Sequence, residues 1–160
     1  MISDRRFARL VCEHAGAVGS YARAVAPDRW TAEDAVQETF LRAWQYRDSF
    51  RSTGSFEGWL IRICRNCLID FAAINVAQPV LAVPDLVDET SHELPELYDL
   101  LARLPVHQRE VVVICSLLGF DYAGAAELLD VPIGTVRSRL HRARAAIAQQ
   151  LDGSGEEASG

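Results

Sequence analysis

Between Ser3 and Ala26 the apolar residues Phe7, Leu10, Val11, Val18, Tyr21 and Val25 recur near helical spacing, and Pro27 and Asp28 end the pattern. Thr31 then stands where a helix cap is wanted. Asp34 is at the capping-box position, Glu33 and Glu38 lie near the positive end, and Arg42 and Arg47 lie toward the negative end. The apolar face of this second helix reads Ala35, Val36, Phe40, Ala43 and Trp44. Residues 48–54 read as a loop. A third helix starts near Ser55, with Phe56, Trp59, Leu60, Ile63, Cys67 and Phe71 on one side and Arg62, Arg65 and Asn66 on the other.

From about Ala77 to Glu93 the period disappears and Pro79 and Pro84 stand among acids, so this stretch is expected to be a flexible linker. Helical patterning resumes from Pro95 to Leu104, stops at Pro105, and returns from about His107 to Leu118, where Gly119 ends it. The run Val111-Val112-Val113-Ile114 has strand propensity, but its helical flanks favour a helix. The expected fold class is therefore all-α, with two small helical domains.

Residues 121–147 have helix-turn-helix spacing. Asp121 can cap a short helix through Leu129, Ala126 is small where helices must cross, and Asp130-Val131-Pro132 makes the turn. Asp at 130 tolerates the left-handed conformation at modest cost. The second helix runs from Ile133 to about Leu151. At about 100° per residue, Leu140, Ala143, Ile147 and Leu151 fall within about 60° of Val136. Arg137, Ser138, His141 and Arg142 fall on the opposite half, with Arg142 near its centre. Arg139 and Arg144 sit on the flanks and are better placed to grip phosphate. Guanidinium forks match guanine edges and phosphates, which is the chemistry a major-groove helix needs.

Composition changes the picture through its distribution. The 160 residues carry a net charge of −6, which argues against indiscriminate coating of nucleic acid. Yet all sixteen basic residues are Arg, and the stretch from Val131 to Leu151 holds four of them and no acid. The linker holds Asp85, Asp88, Glu89 and Glu93 and no Arg, and the tail from Asp152 adds three acids and is expected to be disordered. An acidic protein with one purely cationic helix has a localised anion-binding face.

The strings LPVHQRE at 104–110 and VPIGTVRSRLHRAR at 131–144 closely resemble region 4 of the extracytoplasmic-function sigma factors of bacterial RNA polymerase. AEDAVQETFLRAW at 32–44 and FEGWLIRICRN at 56–66 are similar to region 2 of the same family. The resemblance implies four parts: residues 1–75 as region 2, 76–94 as the linker, 95–151 as region 4 and 152–160 as the tail. It implies that Glu33, Asp34, Gln37 and Glu38 meet a basic coiled coil of core RNA polymerase. It also implies that Phe56, Arg62, Arg65 and Asn66 handle the minus-ten element. Arg137, Ser138, Arg139, His141, Arg142 and Arg144 would read and grip the minus-thirty-five element. The implied partners are core RNA polymerase, promoter DNA and an anti-sigma factor. Many members carry a basic cluster after the position of Phe71, where this chain has AAINVA.

Other chemistry is thin. Cys64 and Cys67 form a lone C-x-x-C within a helix, on its apolar arc, so core packing is expected rather than a metal or redox site. No phosphate loop, nucleophile–base pair or paired carboxylates stand out, so no enzyme, cofactor, metal or small-molecule substrate is expected. No signal peptide and no run of about eighteen apolar residues is present, so a cytoplasmic protein that does not insert into membranes is expected, with reduced cysteines. A self-sufficient DNA-binding repressor would use the same recognition helix but would need neither the region 2 residues nor the linker. A sigma-like decoy that sequesters another regulator is a third reading.

Overall fold

The computed structural model describes residues 1–77 and 95–156, and every regular element among them is helical. They are α1 (Asp4–Val25), α2 (Arg29–Gln45), α3 (Phe56–Ala77), α4 (Pro95–Ala102), α5 (Val106–Val112), α6 (Tyr122–Leu129) and α7 (Ile133–Glu156). A 3₁₀ turn at Arg47–Ser49 follows α2, and a π-helical turn at Val113–Leu117 continues α5. The chain divides into two compact units, Met1–Ser91 and His92–Gly160. The expected linker lies almost wholly outside the described residues, as do residues 157–160.

In the first unit α1, α2 and α3 pack on one another. α2 contributes small side chains to the centre, Ala32, Ala35 and Ala43, so its neighbours approach closely. Larger groups come from α1 (Phe7, Val18, Tyr21) and α3 (Phe56, Leu60, Ile61). Thr39 is fully buried, and its hydroxyl donates to the Ala35 carbonyl at 2.5 Å, which removes the cost of burying it. Cys64 and Cys67 are buried in the same core, and burial pushes the Cys64 thiol up to about 11.

The start of α2 differs from the pattern reading. Asp28, not Thr31, is the cap: its carboxylate accepts from the Thr31 amide at 2.7 Å and from the Thr31 hydroxyl at 3.0 Å. Aspartate ranks above threonine as a cap, and Thr31 one turn on serves it as a donor. The helix therefore begins about three residues earlier. Its exposed and buried faces also shift: Trp44 is exposed, while Ala32 and Thr39 are buried.

The second unit is built from α4, α5, α6 and α7 around Leu101, Val111, Ile114, Ala125, Leu128, Val136 and Leu140. The β-branched run 111–114 is helical because all four side chains are buried, and packing outweighs propensity. The Leu118 amide reaches back to the Val113 carbonyl at 2.9 Å, and Gly119 then takes φ +77°, which stops the helix. Ala125 is fully buried, whereas Ala126, the small residue expected at the helix crossing, is half-buried. α7 continues past Leu151 to Glu156, so the start of the expected disordered tail is helical. No proline or left-handed residue interrupts α7 there, and Gly153 weakens a helix without forbidding it.

Candidate nucleic-acid interface

The helix-turn-helix is set by two aspartates. Asp121 caps α6 by accepting from the Gly124 amide at 2.6 Å. Asp130 ends α6 in the left-handed region at φ 55°, ψ 48°, and the chain turns through Val131 and Pro132 into α7. Val136, Leu140 and Ala143 of α7 are buried against the unit's core. That packing fixes the rotation of the helix. Arg137, Ser138, His141, Arg142 and Arg144 are all exposed, and Arg139 is half-buried. The Ser138 hydroxyl donates to the Thr135 carbonyl at 3.1 Å, leaving its oxygen lone pairs outward. Arg144 lies near enough to Cys115 to favour its thiolate, although burial outweighs this and raises the thiol. Arg144 thus stands at the margin of the face, beside the π-helical turn. The wheel fails only at Leu151, which is exposed.

α4 and α5 hold this platform through Arg109. Its guanidinium donates to the carbonyls of Leu101 at 2.9 Å and Leu104 at 3.0 Å, adding to the turn bond from the Leu104 amide to the Leu101 carbonyl at the end of α4. Sequence reasoning placed Arg109 in a motif but gave it no role.

In the first unit α3 carries Arg62 and Asn66 exposed, one turn apart, with Arg65 half-buried on the flank. Phe56 is not with them. It is 6% exposed, with ring centroids 6.0 Å from Phe7, 5.1 Å from Phe50 and 5.5 Å from Trp59. His14 adds its ring at 5.8 Å and bonds Glu57 at 2.9 Å, tying α1 to the start of α3. The expectation that Phe56 offers a surface to a base is therefore corrected. Its ring is the centre of an aromatic cluster that braces the 50–55 loop, because the apolar arc of α3 begins with it.

On α2 the four expected polymerase contacts separate. Glu33 pairs with Arg29 at 3.0 Å, and Glu38 pairs with Arg42 at 2.7 Å. Arg42 also reaches Asp70 at 2.9 Å, and the two carboxylates hold its guanidinium well above the usual range. Asp34 and Gln37 are exposed on a ridge with Trp30, Leu41 and Trp44, each within about 40° of Trp30 on the helical wheel. Trp30 is 55% and Leu41 59% exposed. These two were missed. A tryptophan and a leucine on the wrong side of an otherwise regular apolar face were the available signal.

Two family models match the chain: sigma-70 region 2 over residues 10–74 and sigma-70 region 4 over residues 94–147. The RNA polymerase sigma factor CnrH of Cupriavidus metallidurans is 30% identical over 97% of this chain and 91% of its own length. The chain belongs to the extracytoplasmic-function sigma factors. The ECF RNA polymerase sigma factor SigE of Mycolicibacterium smegmatis is 33% identical over 89% of this chain, which spans 60% of that relative's length. Among solved structures, the sigma factor RpoE of Bartonella quintana, determined with the anti-sigma factor NepR, superposes with a TM-score of 0.78 at 27% identity. The match covers 91% of this chain and 96% of that one. Sigma factors are transcription-initiation factors, and the two matched regions coincide with the two helical units. Among the described residues, no helix is long and apolar enough to cross a membrane.

Proposed function

We propose that the two units divide promoter recognition between them, with residues 1–75 serving as region 2 and residues 95–151 as region 4. The observation that carries this reading is the outward face of α7. Its buried arc of Val136, Leu140 and Ala143 commits Arg137, Ser138, His141 and Arg142 to the outside, at the spacing a major-groove helix uses. Arg137, Ser138, His141 and Arg142 read base edges of the minus-thirty-five element. Arg139 and Arg144 hold phosphates on either side.

Region 2 docks on core RNA polymerase through the α2 ridge. Because Asp28 is the cap, Glu33 and Asp34 lie beyond the first turn, where the helix dipole no longer accounts for acids. The mixed ridge of Trp30, Asp34, Gln37 and Leu41, flanked by Glu33 and Glu38, suits a partner that is basic and partly apolar. Arg62, Arg65 and Asn66 on α3 handle the minus-ten element, with Phe56 bracing the adjacent loop from within. The protein acts in the cytoplasm with the polymerase and performs no covalent chemistry of its own. The neighbour solved with an anti-sigma factor supports an inhibitor of that kind as a partner here.

The test is run-off transcription by core polymerase with and without this protein, from a promoter library randomised across the upstream element. Arg142→Ala should change the preferred base at one position, whereas Arg144→Ala should weaken all promoters alike and flatten the salt dependence. Identical base preferences in both variants and the wild type would reduce α7 to an electrostatic clamp.

A further inference from the structure

His14 on α1 and Glu57 on α3 stand 43 residues apart, and His14 Nδ1 meets a Glu57 carboxylate oxygen at 2.9 Å. A carboxylate only accepts, so the imidazole donates from Nδ1. The two side chains keep 26% and 24% exposure. A pair this open to water adds little stability, and the best-attested use of such pairs is to fix register. Burial here comes from the aromatic cluster, in which Phe56 meets Phe7, Phe50, Trp59 and the His14 ring. Apolar burial is non-directional, whereas a hydrogen bond holds a narrow range of angles.

What the bond holds is the first turn of α3. Further along the helix Leu60, Ile61, Cys64, Cys67 and Leu68 are buried, and their packing sets its rotation. In the first turn Phe56 is buried, but Glu57, Gly58 and Trp59 are half-buried. Residues 51–54 before it are all exposed, closed by a backbone bond from the Gly54 amide to the Arg51 carbonyl at 3.1 Å. The placement of this loop therefore follows from its two ends. One is Phe50, whose ring lies 5.1 Å from Phe56. The other is Ser55, whose hydroxyl accepts from the Gly58 amide at 3.0 Å. On the wheel Glu57 lies about 140° from Arg62 and about 180° from Asn66. His14 thus holds α3 from the side opposite the residues assigned to the minus-ten element.

We propose that His14 is a positioning residue for promoter opening. Through Glu57 it holds the first turn of α3, and with it the 51–54 loop, in the setting that engages the minus-ten element. The inference rests on the reading of α3 as the minus-ten helix, and it adds a residue of α1 that touches no DNA.

The experiment uses reconstituted holoenzyme and a promoter library randomised across the minus-ten element, with permanganate reactivity of unpaired thymines reporting opening. His14→Leu keeps an apolar group against Phe56 and removes the donor. It should reduce discrimination between the preferred base and its replacements roughly fivefold, the worth of one partly exposed hydrogen bond. His14→Gln keeps an N–H donor and should retain most of the discrimination. Glu57→Ala should match His14→Leu, and the double variant should lose no more than either alone. Affinity for core polymerase and base preference at the upstream element should stay at wild-type values throughout. Wild-type discrimination in His14→Leu, or an equal loss in His14→Gln, would overturn the inference. So would additive losses in the double variant, or a matching fall in core affinity and upstream preference. If Asn66→Ala flattens the minus-ten preference while His14→Leu does not, this inference falls alone. If neither variant does, the reading of α3 falls with it. Tryptophan fluorescence, which reports the first unit, confirms that each variant is folded at the assay temperature.

Discussion

Arg109 joins α4 to α5 by donating to two carbonyls at the C-terminal end of α4, Leu101 at 2.9 Å, which also accepts from the Leu104 amide at 3.0 Å, and Leu104 at 3.0 Å. A third contact, to Ala102 at 3.4 Å, is exposed and adds little. Hydrogen bonds from charged groups contribute about 1.5–3 kcal/mol each. Both carbonyls are only partly buried and regain water when the guanidinium is removed, which places Arg109→Ala near the lower end, about 2–3 kcal/mol for the pair. Glu110 points the same way, since it is buried and attracted to Arg109, and it would lose that charge. For a unit of this size each kcal/mol moves the melting temperature by about 4–8 °C. The expected shift is therefore roughly 8–24 °C, confined to the second unit. The chain supplies its own control, because Trp30, Trp44 and Trp59 all lie in the first unit. Tryptophan fluorescence follows that unit alone, while far-UV circular dichroism follows both. Arg109→Ala should lower one dichroism transition and leave the fluorescence transition in place, and the exposed Arg103→Ala should do neither. A fluorescence midpoint that moves with the dichroism, or an unchanged second transition, would refute the capping role.

Three further outcomes follow from the same geometry. Asp130→Gly should raise the stability of the second unit by about 1 kcal/mol or less in urea titrations, because φ 55° is strained for aspartate but not for glycine. Leu140→Ala, at a site almost fully buried, should cost about 2–5 kcal/mol in the same titration and leave the tryptophan transition unmoved. Cys64 supplies a pH dependence: its thiol is raised from 9.0 to about 11 by burial, so between these values the unfolded thiol ionises and the folded one does not. Stability of the first unit should fall as pH rises through that window, and Cys64→Val should flatten the slope; an identical slope in both proteins would contradict the assignment.

Helical periodicity made most of the fold legible, because each unit buries one stripe per helix and the stops at Pro27, Pro105 and Gly119 are local chemistry. The face of α7 was readable for the same reason. Val136, Leu140 and Ala143 mark the inside, and the arginines must then be outside. What was not legible depended on contacts between elements. Phe56 reads as apolar in either role, and only the packing of Phe7, Phe50 and Trp59 around it decides for the core. Thr31 and Asp28 are both good caps, and the choice is made by which one the α2 amides meet. Arg109 looks like any basic residue in a helix until the end of α4 is set beside it. Trp30 and Leu41 are apolar residues whose exposure follows from α2 packing through its alanines.

Charge and geometry together predict that such a chain needs a partner to hold a promoter. Within a total of −6, four of the sixteen arginines stand on α7 in a stretch without acids and two more, Arg62 and Arg65, on α3, while the other ten are spread along the chain among its acids. Each phosphate neutralised contributes to affinity through released counterions, and one helix neutralises only a few. The isolated protein should therefore bind duplex weakly at physiological salt. Neither surface compensates for the other unless something fixes both on one stretch of DNA. Core polymerase engaging the α2 ridge would do this by raising the effective concentration of the second reader once the first has bound. The same argument favours acids elsewhere on the chain. Asp85, Asp88, Glu89 and Glu93 add negative charge that should weaken non-specific binding by the free protein, while the stretch from Val131 to Leu151 keeps its arginines without an acid. Gel-shift titration of the free chain checks this: sub-micromolar, sequence-specific binding without polymerase would favour a self-sufficient regulator instead. Micromolar or weaker binding that tightens only in holoenzyme is the expected outcome.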